Sequence, residues 1–386
     1  MKSVFVVIDG LIAPYDADVA DVCPTWCRMA AVGRTGLVQW PSLLDYHPEE
    51  NPHWLALFGL NQTLMLDGPT DLPLGWLQAR SSGITAERGC WCRLQFTHLY
   101  RQRDELLLMS PWRTGQTVAE CQELATAVAS EWQQRGWTVH VGSGGQLLLS
   151  TERACQVRTV PLERLERQSL ATNLPSGRDG WLLHQLLVTG QMVLARHEIN
   201  RQRTAAGRMA LNTPWLSGVG SAVVGKPDIT SVAPFAHPGC CWTAAPVVAG
   251  LARLAGYRTV LLSAEEDEIP QRLDKMLSDG HDGCCVLHLT TPALLARHGL
   301  QQQRRERLAW IDERVLRPLT ELLHSGGDRL TVCGGYAVNE EGLGTPATVP
   351  YASAMGRQLQ RKPAFWQRSG LGRGKTVDMV SLVVSG

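Results

Sequence analysis

The sequence of 386 residues has neither an excess of charge of one sign nor a long apolar run. Its 37 basic residues almost cancel its 36 acidic residues, so the total charge gives no indication of binding to nucleic acid or to an anionic membrane. The first apolar run, Val4–Ile8, stops at Asp9 and is too short for the core of a signal peptide. No other segment approaches the roughly 18 uninterrupted apolar residues of a membrane span. We therefore expect a cytoplasmic protein that binds neither nucleic acid nor a membrane.

The sequence also has no Cys-x-x-Cys pair, although it contains eleven cysteines. An odd number of cysteines, several of them inside apolar runs, is typical of a reducing compartment in which thiols serve as small core residues. Metal binding or disulfide bonding is the alternative use of these residues. The length suggests two or three domains.

Segments with the pattern of a parallel α/β sheet lie on both sides of the middle of the chain. The β-branched run Ser3–Ile8 is typical of a buried parallel strand, and Asp9 follows at its carboxyl end, where open α/β sheets bind ligands. Capping of the next helix is the alternative role of Asp9. After Gly220, helices are predicted at 242–255, 270–277 and 304–323, and strands at 257–262, 283–289 and 329–333. The alternation predicts an α/β fold with a doubly wound, mostly parallel sheet.

The middle of the chain has a different pattern. One hairpin is predicted over 90–109 and a second over 137–150. Between them, Thr117 and Glu120 have the spacing of a capping box at the start of a helix. The predicted domains are a core α/β domain whose first part is 1–75, an inserted α+β domain at 76–165, and the second part of the core domain at 166–386.

A family signature lies in the stretch 209–220, which joins the two patterns. Asn212, Trp215, Gly218 and Gly220 have the spacing Asn-x-x-Trp-x-x-Gly-x-Gly. In this signature the chain resembles the archaeal-type cofactor-independent phosphoglycerate mutases of the alkaline phosphatase superfamily, and the resemblance extends over nearly the whole chain. It implies a doubly wound sheet of alkaline phosphatase type, into which a cap-like α+β domain is inserted.

The resemblance further implies a phosphotransfer site with two metal ions, because two divalent ions about 4 Å apart stabilise both the attacking and the leaving oxygen. Asp9 matches the first metal ligand of the family. Most of the other positions differ: Glu50 stands at the serine nucleophile, and Asn51, Ala293, Arg297, Gly335 and Tyr336 stand where the family has aspartate or histidine. If the alignment is shifted by one residue, His298 instead of Arg297 stands at the position of the family histidine. Asp9 alone does not hold a divalent ion with useful affinity.

Two hypotheses from different classes agree with these replacements. The first is a catalytically degenerate relative of phosphoglycerate mutase with a binding or regulatory role, which resembles a divergent bacterial branch of the family. It needs no cofactor, and Asp9 is then a vestigial metal ligand. The second is an active phosphomutase or phosphohydrolase with a rebuilt site, which uses Mn²⁺ or Mg²⁺ and acts on a small phosphorylated metabolite such as phosphoglycerate. The sequence identifies no protein partner.

Three residues that match the family, Arg201, Asn212 and Trp215, are predicted to line a ligand pocket. An arginine binds a carboxylate or phosphate through two parallel hydrogen bonds, so the predicted ligand is a small anionic metabolite. The alternative is that Arg201 is a surface or salt-bridge residue and that Asn212 and Trp215 are packing and turn residues of the core.

Overall fold

The fold is that of a computed structural model of the chain. It describes residues 2–11, 21–39, 52–58, 60, 72–86, 88–109, 111–142, 145–162, 165, 168–221, 238–280, 283–323, 327–335, 337–338, 344–345, 348–360 and 376–378. The chain divides into two compact units, the first made of 1–62 and 227–386 and the second of 63–226. In the described part of the chain, none of the helices has the length and apolar character needed to cross a membrane.

The strands and helices alternate along much of the chain. The strands are β1 (Ser3–Ile8), β2 (Arg34–Gln39), β3 (Cys90–Thr97), β4 (Leu99–Gln102), β5 (Glu105–Leu108), β6 (Thr138–Val141), β7 (Leu147–Thr151), β8 (Thr213–Ser221), β9 (Pro238–Thr243), β10 (Arg258–Leu261), β11 (Cys284–Leu289), β12 (Arg329–Gly334), β13 (Ala337–Val338), β14 (Gly344–Thr345), β15 (Thr348–Met355) and β16 (Thr376–Asp378). The α-helices are α1 (Pro24–Val32), α2 (Pro52–Leu57), α3 (Leu74–Ser81), α4 (Pro111–Thr114), α5 (Val118–Gln133), α6 (Leu170–Asn173), α7 (Gly180–Leu194), α8 (Glu198–Ala205), α9 (Pro246–Leu254), α10 (Leu273–Asp279), α11 (Thr291–Arg297), α12 (Gln301–Ile311), α13 (Arg317–Leu322) and α14 (Gly356–Leu359). A 3-10 helix, Pro270–Arg272, precedes α10, and a π-helix, Asp312–Leu316, joins α12 to α13.

The first unit is built on one large sheet with the strand order β10-β9-β11-β1-β12-β15-β2-β16. Strands β10, β9, β11, β1 and β12 run parallel to one another. Strand β15 is antiparallel to both of its neighbours, and β16 is parallel to β2. The sheet is therefore mostly parallel, and the predicted α/β fold class is confirmed.

Burial on both faces explains why β1 lies at the centre of this sheet. Five of its six residues, Val4–Ile8, are buried, as expected for a central parallel strand. Helix α1 begins at Pro24 and packs against β15 and β2, and the N–H groups of its first turn are capped by a residue that is distant in sequence. The buried carboxylate of Asp312 accepts hydrogen bonds from the backbone N–H groups of Thr25 and Trp26 at 2.8 and 2.9 Å. Burial raises the pKa of Asp312, and these two hydrogen bonds oppose the rise.

The predicted helix at 242–255 is wrong at its beginning. Residues Pro238–Thr243 form β9, which lies between β10 and β11, and helix α9 starts only at Pro246. A strand that is buried on both faces is continuously apolar and lacks the alternation of a half-exposed strand, so Cys240-Cys241-Trp242 resembles a buried helix in sequence. The predicted helix at 304–323 is also interrupted, by the π-helix between α12 and α13.

The second unit contains a four-stranded antiparallel sheet with the order β6-β7-β3-β8. The two predicted hairpins are present as β4–β5, where Arg103 in the turn has φ 55°, and as β6–β7. The capping box is present as well: Thr117 Oγ1 accepts from the Glu120 N–H at 3.2 Å, and Glu120 Oε2 accepts from the Thr117 N–H at 2.8 Å.

The boundaries of the second unit differ from those of the predicted insertion at 76–165. The unit extends to 226 and includes α7, α8 and β8. Strand β8 pairs antiparallel with β3, and the buried apolar side chains of α7 belong to the same core as those of β3, β7 and α5. The stretch 209–220 therefore completes the sheet of this unit instead of opening the second part of the large sheet.

The cysteines occupy the place expected of small apolar residues. All eleven are free thiols, and all except Cys121 are buried. Cys90 and Cys92 lie in the core of the second unit, whereas Cys23, Cys240 and Cys285 lie in that of the first. Burial raises the pKa of Cys27 and of Cys121 to about 11 in each case, so these thiols stay protonated near neutral pH.

Candidate functional site

Three polar side chains lie together at the carboxyl end of the large sheet. Asp9 follows β1, His288 lies in β11, and Thr243 is the last residue of β9. The parallel register places Val7 opposite His288 and His288 opposite Thr243. The exposed fractions are 2% for Asp9, 1% for His288 and 0% for Thr243. This edge of the sheet is where α/β folds bind ligands, so the three residues form the candidate site.

Hydrogen bonds connect these side chains in a row. His288 Nε2 lies 2.8 Å from Asp9 Oδ2, and His288 Nδ1 lies 2.8 Å from Thr243 Oγ1. Thr243 Oγ1 also accepts the backbone N–H of Ala245 at 2.9 Å. Its own hydroxyl hydrogen can then be donated to Nδ1, which leaves the ring hydrogen on Nε2 to be donated to Asp9. Both nitrogens of His288 are thus engaged within the protein.

The second oxygen of Asp9 faces a glycine. Oδ1 has no hydrogen-bond partner among the residues that the structure describes. Gly335, directly after β12, is held by a hydrogen bond from its N–H to the carbonyl of Ile8 at 2.9 Å. A Cβ built on Gly335 would lie 1.8 Å from Asp9 Oδ1. The Asp9 carboxylate therefore occupies the space that a side chain at position 335 would need.

An aromatic residue packs against the imidazole of His288. Trp54, in α2, is fully buried, and its ring centroid lies 4.6 Å from that of His288 at an interplanar angle of 58°. Phe58 stacks on Trp54 in turn, at 5.7 Å between centroids. Apolar contact on one side of the imidazole and the low exposure of all three polar residues place their hydrogen bonds in a buried environment, where such bonds are stronger than in water.

A buried carboxylate holds the turn that follows β11. Glu266 is fully buried, and its Oε1 accepts hydrogen bonds from the N–H and hydroxyl of Thr290 at 2.6 and 2.9 Å. Its Oε2 accepts the hydroxyl of Thr291 at 2.7 Å. Glu266 has φ 59°, an uncommon conformation for a residue other than glycine. Its carboxylate oxygens are thus used to fix the turn after His288.

The metal ions that the family resemblance implies require a richer set of donors than the described residues supply. In that part of the chain, no group of three or more His, Cys, Asp or Glu side chains could hold a metal ion. Among the described residues, Asp9 Oδ1 has no hydrogen-bond partner, whereas both ring nitrogens of His288 are engaged. The pKa of the nearby Cys333 thiol is raised well above its usual value, first by burial and second by the charge of Asp9, so it is not a ready thiolate ligand. The described residues do not fit a two-metal site.

Other family positions give no further ligand near Asp9 in the described ranges. Ala293, at the position of a family aspartate, is fully buried in α11. His298, the alternative to Arg297, is exposed just beyond the C-terminal end of the same helix. Three positions lie outside the described residues: Glu50, Asn51 and Tyr336.

The residues predicted to bind an anionic ligand all lie in the second unit. Trp215 is fully buried, and its indole N–H donates to the carbonyl of Val160 at 2.7 Å. Asn212 uses both ends of its amide on Leu99, accepting from the backbone N–H at 2.7 Å and donating to the carbonyl at 2.9 Å. The geometry of these two residues favours their alternative roles in packing and turn formation.

Arg201 is the exposed member of the predicted trio. It lies in α8, and 69% of its side chain is exposed. Its Nε donates to Glu198 Oε2 at 2.8 Å, one turn earlier in the same helix. An exposed i,i+3 ion pair of this kind is the salt-bridge role given above as the alternative. Ligand binding by the trio stays a prediction.

A more deeply buried ion cluster in the second unit was not predicted. Arg203, with 1% of its side chain exposed, donates to Glu120 Oε2 at 2.8 Å, and Arg208 donates to Glu120 Oε1 at 2.9 Å. Burial tends to raise the pKa of Glu120, but the hydrogen bonds from Thr117, Arg203 and Arg208 outweigh it, and the pKa falls from 4.5 to about 2. The cluster ties the start of α5 to the residues around the end of α8.

Sequence reasoning also missed Thr243, Trp54 and Glu266. Thr243 was not recognised as the end of a strand because it fell within the helix predicted at 242–255. Glu266 is 24 residues from Thr290 in the chain, so no local pattern connects them. The β-branched run that ends at Asp9 was the signal that located this edge of the sheet.

Two sequence relatives share a description. The chain is 24% identical over 320 residues, 80% of its length and 77% of the relative's, to a probable 2,3-bisphosphoglycerate-independent phosphoglycerate mutase of Geobacter sulfurreducens. It is 24% identical over 164 residues, 41% of each chain, to a 2,3-bisphosphoglycerate-independent phosphoglycerate mutase of Methanothrix thermoacetophila. No protein-family model matches the chain.

Solved structures with the same fold cover nearly the whole chain. A protein of Pyrococcus horikoshii superposes with a TM-score of 0.64 at 16% identity, covering 96% of this chain and 91% of its own. The cofactor-independent phosphoglycerate mutase of Thermoplasma acidophilum superposes with a TM-score of 0.52 at 17% identity, covering 100% and 98%. At these identities the likeness is one of fold.

Proposed function

We propose, from the premise that this chain is a divergent homologue of the 2,3-bisphosphoglycerate-independent phosphoglycerate mutases, that it is a catalytically degenerate relative with a binding or regulatory role. The fold of the mutases is retained in the large sheet and in the second unit. In this proposal, the chain has lost the phosphoglycerate mutase activity.

The observation that carries the proposal is the crowding between Asp9 and Gly335. The resemblance places a family aspartate at position 335, and a Cβ there would lie 1.8 Å from Asp9 Oδ1. Asp9 in its present position and an acidic ligand at 335 are sterically incompatible. In this proposal, the loss of the acidic ligand at position 335 leaves the space that the Asp9 carboxylate occupies.

The hydrogen bonds of His288 support the same conclusion. A metal ligand needs a ring nitrogen with a free lone pair, and both nitrogens of His288 are engaged by Asp9 and Thr243. Breaking this row to admit a divalent ion on His288 would deprive either the buried hydroxyl hydrogen of Thr243 or the buried Oδ2 of Asp9 of its present partner, which is costly in a buried site. The row of hydrogen bonds holds the ends of β1, β9 and β11 together in place of an ion.

An assay of mutase activity tests the proposal. The purified chain, stripped of metal and then supplied with Mn²⁺ or Mg²⁺, is expected to interconvert 3- and 2-phosphoglycerate no faster than the Asp9→Ala variant. The Thermoplasma acidophilum enzyme serves as the positive control in the same assay. Metal-dependent turnover that Asp9→Ala abolishes would instead establish the alternative function, an active phosphomutase or phosphohydrolase with a rebuilt site.

The ligand that the proposed role requires is a small anionic metabolite. Support comes from the exposure of Arg201, since an arginine binds a carboxylate or phosphate through two parallel hydrogen bonds, and a ligand anion would here take the place of the Glu198 carboxylate. Such a ligand is expected to raise the melting temperature, and Arg201→Ala is expected to remove the rise. Arg101→Ala is the matched control, because Arg101 forms a similar exposed i,i+3 pair with Asp104. An equal rise in all three proteins, or none in the wild type, would count against the site.

The proposed location is the cytoplasm. It is supported by the eleven free cysteines, since free thiols persist in a reducing compartment.

A further inference from the structure

One face of helix α7, in the second unit, is exposed and uncharged. Trp181, Val188 and Met192 are 54%, 56% and 67% exposed. Gln185 is exposed on the same face, as is Ala195, which directly follows the helix and still has helical backbone angles. We call these five residues the α7 seam. The exposed face of a surface helix usually carries charged and polar side chains, and the seam has one polar residue and no charged one.

The opposite face fixes this helix in the core of the second unit. Leu183, Leu186, Leu187 and Leu194 are buried there. The indole N–H of Trp132 donates to the carbonyl of Leu186 at 3.1 Å. The exposure of the seam is therefore a stable property of a well-packed helix.

The spacing within the seam is that of a helix-pairing surface. The residues follow one another at intervals of four, three, four and three, which is the alternation of the core positions of a coiled coil. Isolated exposed apolar residues elsewhere, such as Val118 and Val141, have no such partners along their own element and are ordinary on a protein surface. The seam thus indicates a second helix as its partner.

The seam is complementary to itself in antiparallel orientation. If a two-fold axis passes by Val188, each Val188 meets the Val188 of the second copy, and each Gln185 lies opposite Met192. Each Trp181, the largest side chain, then lies opposite Ala195, the smallest. In an interface about a two-fold axis, a residue that contacts a second residue of the other copy is always matched by the reverse contact, as in these pairs.

The charges within the helix do not oppose this arrangement. Helix α7 contains no Lys, Arg, Asp or Glu, so two copies of the helix bring no like charges together along their length. A membrane surface is a poorer partner, because helices that lie on membranes carry lysines and arginines beside the apolar face and α7 contains neither.

We propose that the chain forms a homodimer in which the α7 seam packs antiparallel against the seam of a second copy, with Val188 at the two-fold axis. A helix of 15 residues is about 22 Å long, and one helix pair buries less than the roughly 800 Å² per partner of a standard interface. The dimer is therefore expected to dissociate in the micromolar range.

Sedimentation velocity over a range of micromolar concentrations tests the proposal. The wild type is expected to change from monomer to dimer with concentration. Val188→Glu places two like charges together at the axis and is expected to weaken dimerisation by at least about tenfold. Val118→Glu is the matched control, because Val118 is 55% exposed in the same unit and lies outside the seam. It is expected to dimerise like the wild type, and circular dichroism shows whether each variant is folded.

Charge exchange tests the position of the axis. Val188→Lys alone is expected to be monomeric like Val188→Glu, whereas an equal mixture of the two variants is expected to form a heterodimer. A wild type that stays monomeric throughout the range overturns the proposal. So does a Val188→Glu variant that dimerises like the wild type, or a mixture that stays monomeric.

Discussion

Asp9 and Gly335 compete for the same space: a Cβ on Gly335 would lie 1.8 Å from Oδ1 and 3.0 Å from Cγ of Asp9. The glycine is thus required by a neighbouring side chain, because only a residue without Cβ leaves room for the carboxylate. The backbone N–H of Gly335 is hydrogen-bonded to Ile8, so the strand ends cannot separate easily to relieve the contact.

Gly335→Ala is expected to destabilise the protein by about 1–3 kcal/mol, the usual cost of overpacking a rigid interior. In an Asp9→Ala background the same substitution is expected to cost much less, because the competing carboxylate is gone. Urea unfolding of the four proteins measures both effects. Equal costs in the two backgrounds would show that Asp9 and Gly335 do not compete.

His288→Phe is expected to destabilise the protein by roughly 3–5 kcal/mol, because it leaves the buried Asp9 carboxylate without its partner. Asp9→Asn keeps an acceptor for Nε2–H and removes the charge, so its cost is expected to stay below about 1.5 kcal/mol. With asparagine at position 9, the cost of His288→Phe is expected to fall. A double-mutant cycle by urea unfolding measures this coupling, and simple additivity would contradict the proposed row of hydrogen bonds.

The Glu120 cluster predicts a loss of stability in acid. The pKa of Glu120 in the folded protein, about 2, is below its ordinary value of 4.5. The stabilisation of the folded protein by ionised Glu120 is therefore fully present above pH 4.5 and is lost as the pH falls towards 2. The stability difference between wild type and Glu120→Gln is expected to shrink over this range. Glu198→Gln is the control, because its exposed pair with Arg201 is expected to matter little at any pH.

The second unit is expected to fold on its own as residues 63–226, because it has a separate core and its sheet is complete within these bounds. A fragment restricted to the predicted insertion, 76–165, lacks β8 and α7 and is expected not to unfold cooperatively. Thermal unfolding followed by circular dichroism compares the two fragments. Cooperative unfolding of the shorter one would support the boundary predicted from sequence.

Local patterns in the sequence were sufficient for part of this fold. The run that ends at Asp9 and the strand–helix alternation after Gly220 gave the mostly parallel sheet, and the capping box of Thr117 and Glu120 gave the start of α5. The strand that ends at Thr243 could not be recognised, because burial on both faces removes the alternation that distinguishes a strand from a buried helix.

The candidate site depended on contacts between residues distant in sequence. Asp9 could be placed at a strand end, but its bond to His288, 279 residues later, depends on which strands are neighbours in the sheet. The close approach of the Asp9 carboxylate to Gly335 likewise has no local signature in the sequence. Trp215 and Asn212 matched a family motif, and only the structure reveals that their polar groups bind Val160 and Leu99.

The most direct test of the account is a titration of the metal-free protein with Mn²⁺, followed by isothermal calorimetry, in the wild type and in Asp9→Ala. If the row formed by Asp9, His288 and Thr243 has replaced the metal site, the two proteins are expected to give the same weak, unsaturated heats. Saturable binding of one or two equivalents of Mn²⁺ to the wild type, lost in Asp9→Ala, would contradict it.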